Sequence, residues 1–233
     1  MSRTFAPTTD PDALRAAHAV ADAIPDRSTL GLGTGTTFAA ILVRLGERIA
    51  RERLRISGVP TSSATEEAAK QVGIELVSPR HLSLAIDGAD EVDPDGNLVK
   101  GGGGALLREK IVAQSARELW IVVSPKKLVP RLGATFRLPI EIVRFGHELT
   151  LERIQRLLPD ATLRTRDGDP VESDNGGFLV DAALPSAPTT RLADAIKSIV
   201  GVVDHGLFLG IAPTVVWVGR DGRVDRLVPP ISG

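Results

Sequence analysis

Short apolar runs alternate with stretches of helical periodicity through the first 127 residues. Thr29-Leu30-Gly31-Leu32-Gly33 makes a short strand that runs into a glycine turn. Phe38, Ile41, Leu42 and Leu45 recur at helical spacing across residues 38–49. Residues 54–59 and 82–86 read as strands, 13–23 and 65–72 as helices. A helix over 105–116 follows a glycine run, and Leu119-Trp120-Ile121-Val122-Val123 reads as a strand buried on both faces.

The pattern changes after Pro130. Residues 136–143, 163–166, 178–182 and 202–203 read as strands, and 147–158 and 190–200 as helices. The order strand–helix–strand–strand–helix–strand is that of a split βαβ unit. Val215 to Val218 and Val224 to Leu227 flank Arg220-Asp221-Gly222 as a hairpin that can return to the first sheet. The expected fold is therefore α/β: a Rossmann-like open, mostly parallel sheet with helices on both faces, plus a smaller inserted α+β domain of ferredoxin-like order. The boundaries fall at 1–129 and 207–233 for the α/β domain and 130–206 for the smaller one.

Composition narrows the function. With 28 basic and 29 acidic residues, the net charge of −1 gives no field toward nucleic acid or an anionic membrane. Two Trp, six Phe and no Tyr are too few for base stacking. Without cysteine there is no disulfide, thiolate metal site or cysteine nucleophile, which fits a reducing compartment. Residues 1–11 carry no apolar run of the signal-peptide kind, and no stretch approaches a membrane span, so a cytoplasmic protein is expected. His18, His81, His147 and His205 are widely spaced and show no metal-ligand pairing; each is assigned to packing.

Three segments can carry chemistry. In the turn Gly31–Thr37, three glycines and three threonine hydroxyls precede a helix, an arrangement that seats an anion. Its spacing is G-x-G-x-G, the end of the second strand reads Ile56-Ser57-Gly58 where a ribose-binding acid should fall, and no lysine follows the last glycine. These features disfavour a dinucleotide or P-loop site and suit a phosphate monoester; the competing reading is a tight turn with no ligand. The second segment, residues 87–96, puts Asp87 and Asp90 after a buried strand, where open α/β sheets bind ligands. A calcium loop counted from Glu91 fails at its twelfth position, Gly102, and residues 93–96 read as a solvated turn. In the third, Lys100 precedes four consecutive glycines, whose ordering makes sense if a ligand approaches the backbone closely. Glu109 follows on a helix face with Ala105, Val112 and Ala113, where partial desolvation would raise its pKa and suit it to carry a proton. The competing reading pairs Glu109 with the helix dipole, among solvated Arg108 and Lys110.

Taken together, GLGTGTT (31–37), VPTSSATEEAA (59–69), DGADEVDPDGNLVKGGGGALLREKIVA (87–113), SDNGGFLVD (173–181) and GVVDHGLFLG (201–210) closely resemble the type A ribose-5-phosphate isomerase family across nearly the whole chain. The resemblance implies interconversion of D-ribose 5-phosphate and D-ribulose 5-phosphate in the non-oxidative pentose phosphate pathway. It implies no metal or organic cofactor, a homodimer or homotetramer, and a small sugar phosphate as the only partner besides the chain itself. By position, Glu109 matches the catalytic proton acceptor working through a cis-enediol(ate), and Asp87 the acid of ring opening, with Asp90 at the sugar hydroxyls. Lys100 and the amides of Gly101, Gly102 and Gly103 match the groups that stabilise the enediolate oxygen. Thr34, Gly35, Thr36 and Thr37 match the substrate-binding turn, and Gly88 and Ala89 join Asp87 in contacting substrate. Lys127, rather than Lys126, matches a substrate-binding lysine, and Arg15 stands where an N-terminal-helix lysine approaches the phosphate.

Two positions depart from the family pattern: Thr36 stands where serine is common, and Ser124-Pro125 replaces the acidic residue usual before the matched lysine. Two other functions compete. In a coenzyme A transferase Glu109 would be a nucleophile, but the chain is short and its loops are of sugar-phosphate size. A sugar-phosphate sensor fused to DNA-binding helices needs more than the roughly 28 residues that precede the first strand.

Overall fold

Alternation along the strands gives the main sheet two differently filled faces. In the computed structural model, which describes residues 6–80, 82–185, 188–211 and 213–230, the chain divides into two compact units. The first comprises Met1–Ala89, Arg108–Leu128 and Ile211–Gly233; the second comprises Asp90–Leu107 and Val129–Gly210. His81 and residues 1–5, on which the readings of histidine packing and of the N-terminus partly fall, lie outside the described residues.

The first unit holds a seven-stranded sheet in the order Arg223–Leu227, Val215–Arg220, Ala116–Val123, Leu82–Asp87, Ser28–Leu32, Ile56–Pro60, Glu75–Leu76. Six strands are parallel, and the last strand in the chain folds back antiparallel as a hairpin. Leu30, Leu32, Leu84, Ile86 and Val122 face a core shared with Ala16, Ala17 and Val20 of helix Pro11–Ala23 and with Phe38, Ile41, Leu42 and Leu45 of helix Thr36–Glu52. The alternate positions Gly31 and Ala85 face the other way. A Cβ on Gly31 would lie 2.4 Å from Val112 Cγ1 of helix Leu106–Ser115, so the bare glycine lets that helix close on the sheet. Both faces are thereby covered.

Asp10 caps the first helix by accepting the amides of Asp12 at 3.0 Å and Ala13 at 3.4 Å. Burial opposes the charge on this carboxyl, but those two amides, with the Lys126 ammonium and the Ser124 side chain, outweigh it and hold the group below the usual carboxylate range.

The second unit contains a four-stranded antiparallel sheet ordered Val202–His205, Leu138–Ile142, Phe178–Ala182, Thr162–Leu163. Counted along the chain this is 4-1-3-2, the ferredoxin-like arrangement, with helices His147–Leu157 and Thr190–Lys197 supplying Ile154 and Ile196 to the core against Ile140, Ile142, Val180 and Ala182. The run 163–166, expected as one strand, is interrupted: Thr162–Leu163 pairs with Phe178–Ala182, Thr165–Arg166 pairs with Asp169–Pro170, and Arg164 sits at the break. Residues 90–107 cluster here because the hairpin Glu91–Val92/Leu98–Val99 pairs with Leu207–Phe208. Residues 93–96 form the turn of that hairpin, with the Asp93 carboxylate accepting the amides of Asp95 and Asn97. No helix of the described residues is long and apolar enough to cross a membrane.

Candidate active site

Parallel strands end together, so the residues that follow Leu32, Pro60, Asp87 and Val123 share one edge of the first unit's sheet. There Gly33 meets Asp87. The Asp87 Oδ1 accepts the amides of Thr34 at 3.1 Å and Gly88 at 2.8 Å, and the residue is only 5% exposed. A Cβ on Gly33 would lie 2.4 Å from that same oxygen, so only glycine allows the carboxylate so close to the turn. Gly35, at φ +92°, opens helix Thr36–Glu52 without a side-chain cap. Its backbone freedom leaves the first-turn amides facing outward beside exposed Gly35 and Thr36 and half-buried Thr37, a seat for an anion.

A layer of hydroxyls lies beneath this turn. Thr34 Oγ1 is 2.7 Å from Thr61 Oγ1 and 3.3 Å from Thr65 Oγ1, while Thr61 and Thr65 donate to the carbonyls of Leu32 and Gly33. Ser62 caps the helix Ser63–Gln71 and donates to Thr65 Oγ1. Thr61, Ser62 and Thr65 are buried and were missed as site residues from sequence. Ser62 is there as the helix cap, whereas the Thr61 and Thr65 hydroxyls tie the Gly33–Thr34 turn to the start of that helix.

Glu109 lies in the first turn of helix Leu106–Ser115 and is 6% exposed. Val112, which the Gly31 contact sets against the sheet, follows three residues later, about 4.5 Å along the axis. Val112 and Ala113 are buried, and so is Lys110, while Arg108 is half-buried and Ile111 faces solvent, so the burial is confined to the face that carries Glu109. Beyond strand Ala116–Val123, a single 3₁₀ turn, Pro125–Lys127, carries both lysines. Lys126 is exposed and its Nζ lies 3.7 Å from Asp10, whereas Lys127 is half-buried. The N-terminal segment reaches the same edge, for the Thr8 amide donates to the Thr36 carbonyl at 2.9 Å. Arg15 lies exposed on the first helix.

The remaining sequence-derived residues, Asp90, Lys100, Gly101, Gly102 and Gly103, belong to the second unit. Asp90 Oδ2 accepts the Gly102 amide at 2.7 Å, and a Cβ on Gly102 would collide with that carboxylate and with Phe136. Gly101 and Gly104 take positive φ, and the Gly104 amide closes a turn onto the Gly101 carbonyl at 2.8 Å. Lys100 is 3% exposed; its amide donates to the Gly206 carbonyl, and its Nζ stands 5.8 Å from the Phe208 ring centroid. Among the described residues no three acidic or histidine side chains converge as a metal-ligand set.

Each unit thus brings an acid to a glycine turn: Asp87 to Gly33–Gly35, Asp90 to Gly101–Gly104. One turn opens a long helix and suits a phosphate; the other carries a buried lysine at its start and suits a developing oxyanion. Glu109 is the carboxylate whose burial suits proton transfer.

A family model described as ribose 5-phosphate isomerase A (phosphoriboisomerase A) matches residues 57–222. The chain is 45% identical over 214 residues to the ribose-5-phosphate isomerase A of a Synechococcus species, covering 89% of this chain and 93% of the relative. It is 47% identical over 197 residues to that of Deinococcus radiodurans, covering 83% and 87%. Among solved structures, the ribose 5-phosphate isomerase A of Methanocaldococcus jannaschii superposes with a TM-score of 0.88 at 33% identity, over 95% of this chain and 100% of that one. A D-ribose-5-phosphate isomerase in complex with phospho-erythronic acid gives 0.89 at 34% identity, over 95% and 99%.

Proposed function

The chain belongs to the ribose 5-phosphate isomerase A family, and from that premise we propose that it interconverts D-ribose 5-phosphate and D-ribulose 5-phosphate by proton transfer through an enediol(ate), without metal or organic cofactor. Glu109 takes the proton from C2 of the open-chain aldose and returns it to C1. Asp87 moves the proton that opens the furanose ring. Asp90 orients sugar hydroxyls. Lys100 and the amides of Gly101 and Gly103 meet the charge that develops on the substrate oxygen, where preorganised donors act most strongly, while Asp90 holds the Gly102 amide and with it the shape of the loop. Thr34, Gly35, Thr36 and Thr37 seat the phosphate, with Gly88 and Ala89 lining the sugar and Lys127 and Arg15 contacting the phosphate. The enzyme works in the cytoplasm as a homodimer or homotetramer, in the non-oxidative pentose phosphate pathway.

The observation that carries this reading is Glu109, a carboxylate 6% exposed in the first turn of a helix packed against the strands that lead to Asp87 and the Gly33 turn. Phospho-erythronic acid, a four-carbon acid phosphate held by a structural relative, has the size and charge expected of the ligand here. Purified protein given ribose 5-phosphate is expected to form ribulose 5-phosphate to equilibrium; no ketose above the uncatalysed rate contradicts the proposal. A charge-assisted contact is worth about 1.5–3 kcal/mol, so Lys127→Ala should raise KM for ribose 5-phosphate by roughly tenfold or more and alter kcat little. An unchanged KM removes Lys127 from the phosphate site.

A further inference from the structure

Arg164 has no place in the roles above, and its surroundings give it one. It sits at the break between two short strands, its amide donating to the Leu179 carbonyl at 2.7 Å and its carbonyl accepting the Val171 amide at 2.9 Å. The guanidinium is gripped from one side by Asp181 in strand Phe178–Ala182, with Nε to Oδ2 at 2.7 Å and Nη2 to Oδ1 at 2.5 Å. The third nitrogen, Nη1, donates to the Gly102 carbonyl at 3.0 Å and lies 3.4 Å from the Gly101 carbonyl. Both side chains are mostly buried, at 17% and 21% exposure.

A trans peptide points its N–H opposite to its C=O. Holding the Gly102 carbonyl therefore fixes the plane of the next peptide and turns the Gly103 N–H to the side away from Arg164, at a residue that is itself exposed. The preceding peptide is fixed twice, by Arg164 on the Gly101 carbonyl and by Asp90 on the Gly102 amide. Four successive glycines have the least backbone restraint a sequence can offer. The two carboxylates Asp90 and Asp181, the second acting through Arg164, supply the restraint that the residues themselves lack. Asp181 balances the guanidinium charge, so the part Arg164 plays is geometric.

We propose that Arg164, clamped by Asp181, is a positioning residue that aims the Gly103 amide at the oxygen on which charge develops during isomerisation; this rests on the function proposed above. A donor set displaced by a fraction of an ångström loses transition-state stabilisation before it loses ground-state binding. Arg164→Ala is expected to lower kcat for ribose 5-phosphate by about 10- to 100-fold with KM changed by less than about threefold. Guanidinium ion at millimolar concentration should restore part of that kcat, and should do nothing for Glu109→Gln, in which the proton acceptor itself is missing. Arg164→Lys keeps the charge without the fork and should fall between wild type and alanine.

If Arg164→Ala does not fold, Asp181→Asn carries the test: it should lower kcat by a smaller factor, again at nearly constant KM. Wild-type turnover with an Arg164→Ala kcat within about twofold of it overturns the positioning role and leaves the proposed function standing. A loss of kcat matched by an equal rise in KM, with no response to guanidinium, overturns it too. Absence of turnover in the wild-type protein is the distinct outcome that removes the proposed function.

Discussion

Replacing Glu109 by Gln lowers kcat for ribose 5-phosphate by about a hundredfold or more while KM stays within about threefold. Glutamine keeps the size and much of the hydrogen-bonding shape of the side chain, so the buried first turn of helix Leu106–Ser115 remains packed. The change removes the capacity to take up a proton. A positioned base contributes roughly 10²–10⁴-fold to such a step, and the residual rate reflects the donors and the binding turn that remain. Steady-state kinetics of the purified variant, with a thermal melt to show that it is folded, make the measurement. Near-normal kcat in a folded Glu109→Gln protein takes this residue out of the mechanism.

Replacing Glu91 by Ala destabilises the protein by about 3–5 kcal/mol, because its carboxylate organises a whole loop. Glu91 is completely buried. Its Oε2 accepts the Gly133 amide at 2.5 Å, and its Oε1 accepts the Thr135 amide at 2.5 Å, the Thr135 hydroxyl at 2.8 Å and the Phe136 amide at 2.8 Å. Alanine would leave three backbone donors and a hydroxyl facing a cavity, and each unsatisfied buried group costs about 1–3 kcal/mol. Water entering the cavity recovers part of that, which is why the sum is not reached. For a chain of this length each kcal/mol moves the melting temperature by about 2–4 °C, so a drop near 10 °C is expected. A melting temperature within about 2 °C of wild type means the loop is held by other contacts.

The parallel sheet was legible because its central strands carry apolar runs, Leu84–Ile86 and Leu119–Val123, between helices of clear periodicity, although the polar start of the second strand, residues 116–118, carries no such signal and Ala116 reads as the end of the preceding helix. The 4-1-3-2 sheet was legible for a related reason, its strand and helix order allowing few topologies. Hairpin Val215–Leu227 adds a parallel and an antiparallel strand to the first sheet through its own turn residues. Residues 90–107 were not legible in the same way. Strands of two residues carry no periodicity, and what draws Glu91–Val92 and Leu98–Val99 to Leu207–Phe208 is pairing between segments more than a hundred residues apart.

The site shows the same division. Glycine turns before helices and an acid after a buried strand are local signals, and they identified Gly33–Thr37 and Asp87, which the fold joins by a hydrogen bond. Buried polar groups that act over distance left weaker traces. Glu91 stands in an acid-rich stretch that looks solvated. Thr61, Ser62 and Thr65 resemble an ordinary helix start, and Arg164 and Asp181 are one arginine and one aspartate among many. Except for Ser62, a local helix cap, their importance comes from partners 17 to 63 residues away in the chain, which no short window of sequence contains.

Proton transfer by Glu109 is tested most directly by running the reaction in deuterated water and following both carbons by NMR over many turnovers. Solvent hydrogen reaches a carboxyl group that carries a proton, so deuterium should accumulate at C1 of ribulose 5-phosphate and at C2 of ribose 5-phosphate. In Glu109→Gln, interconversion and labelling should fall together. Interconversion and labelling at wild-type rates in a folded Glu109→Gln protein would mean that another group carries the proton.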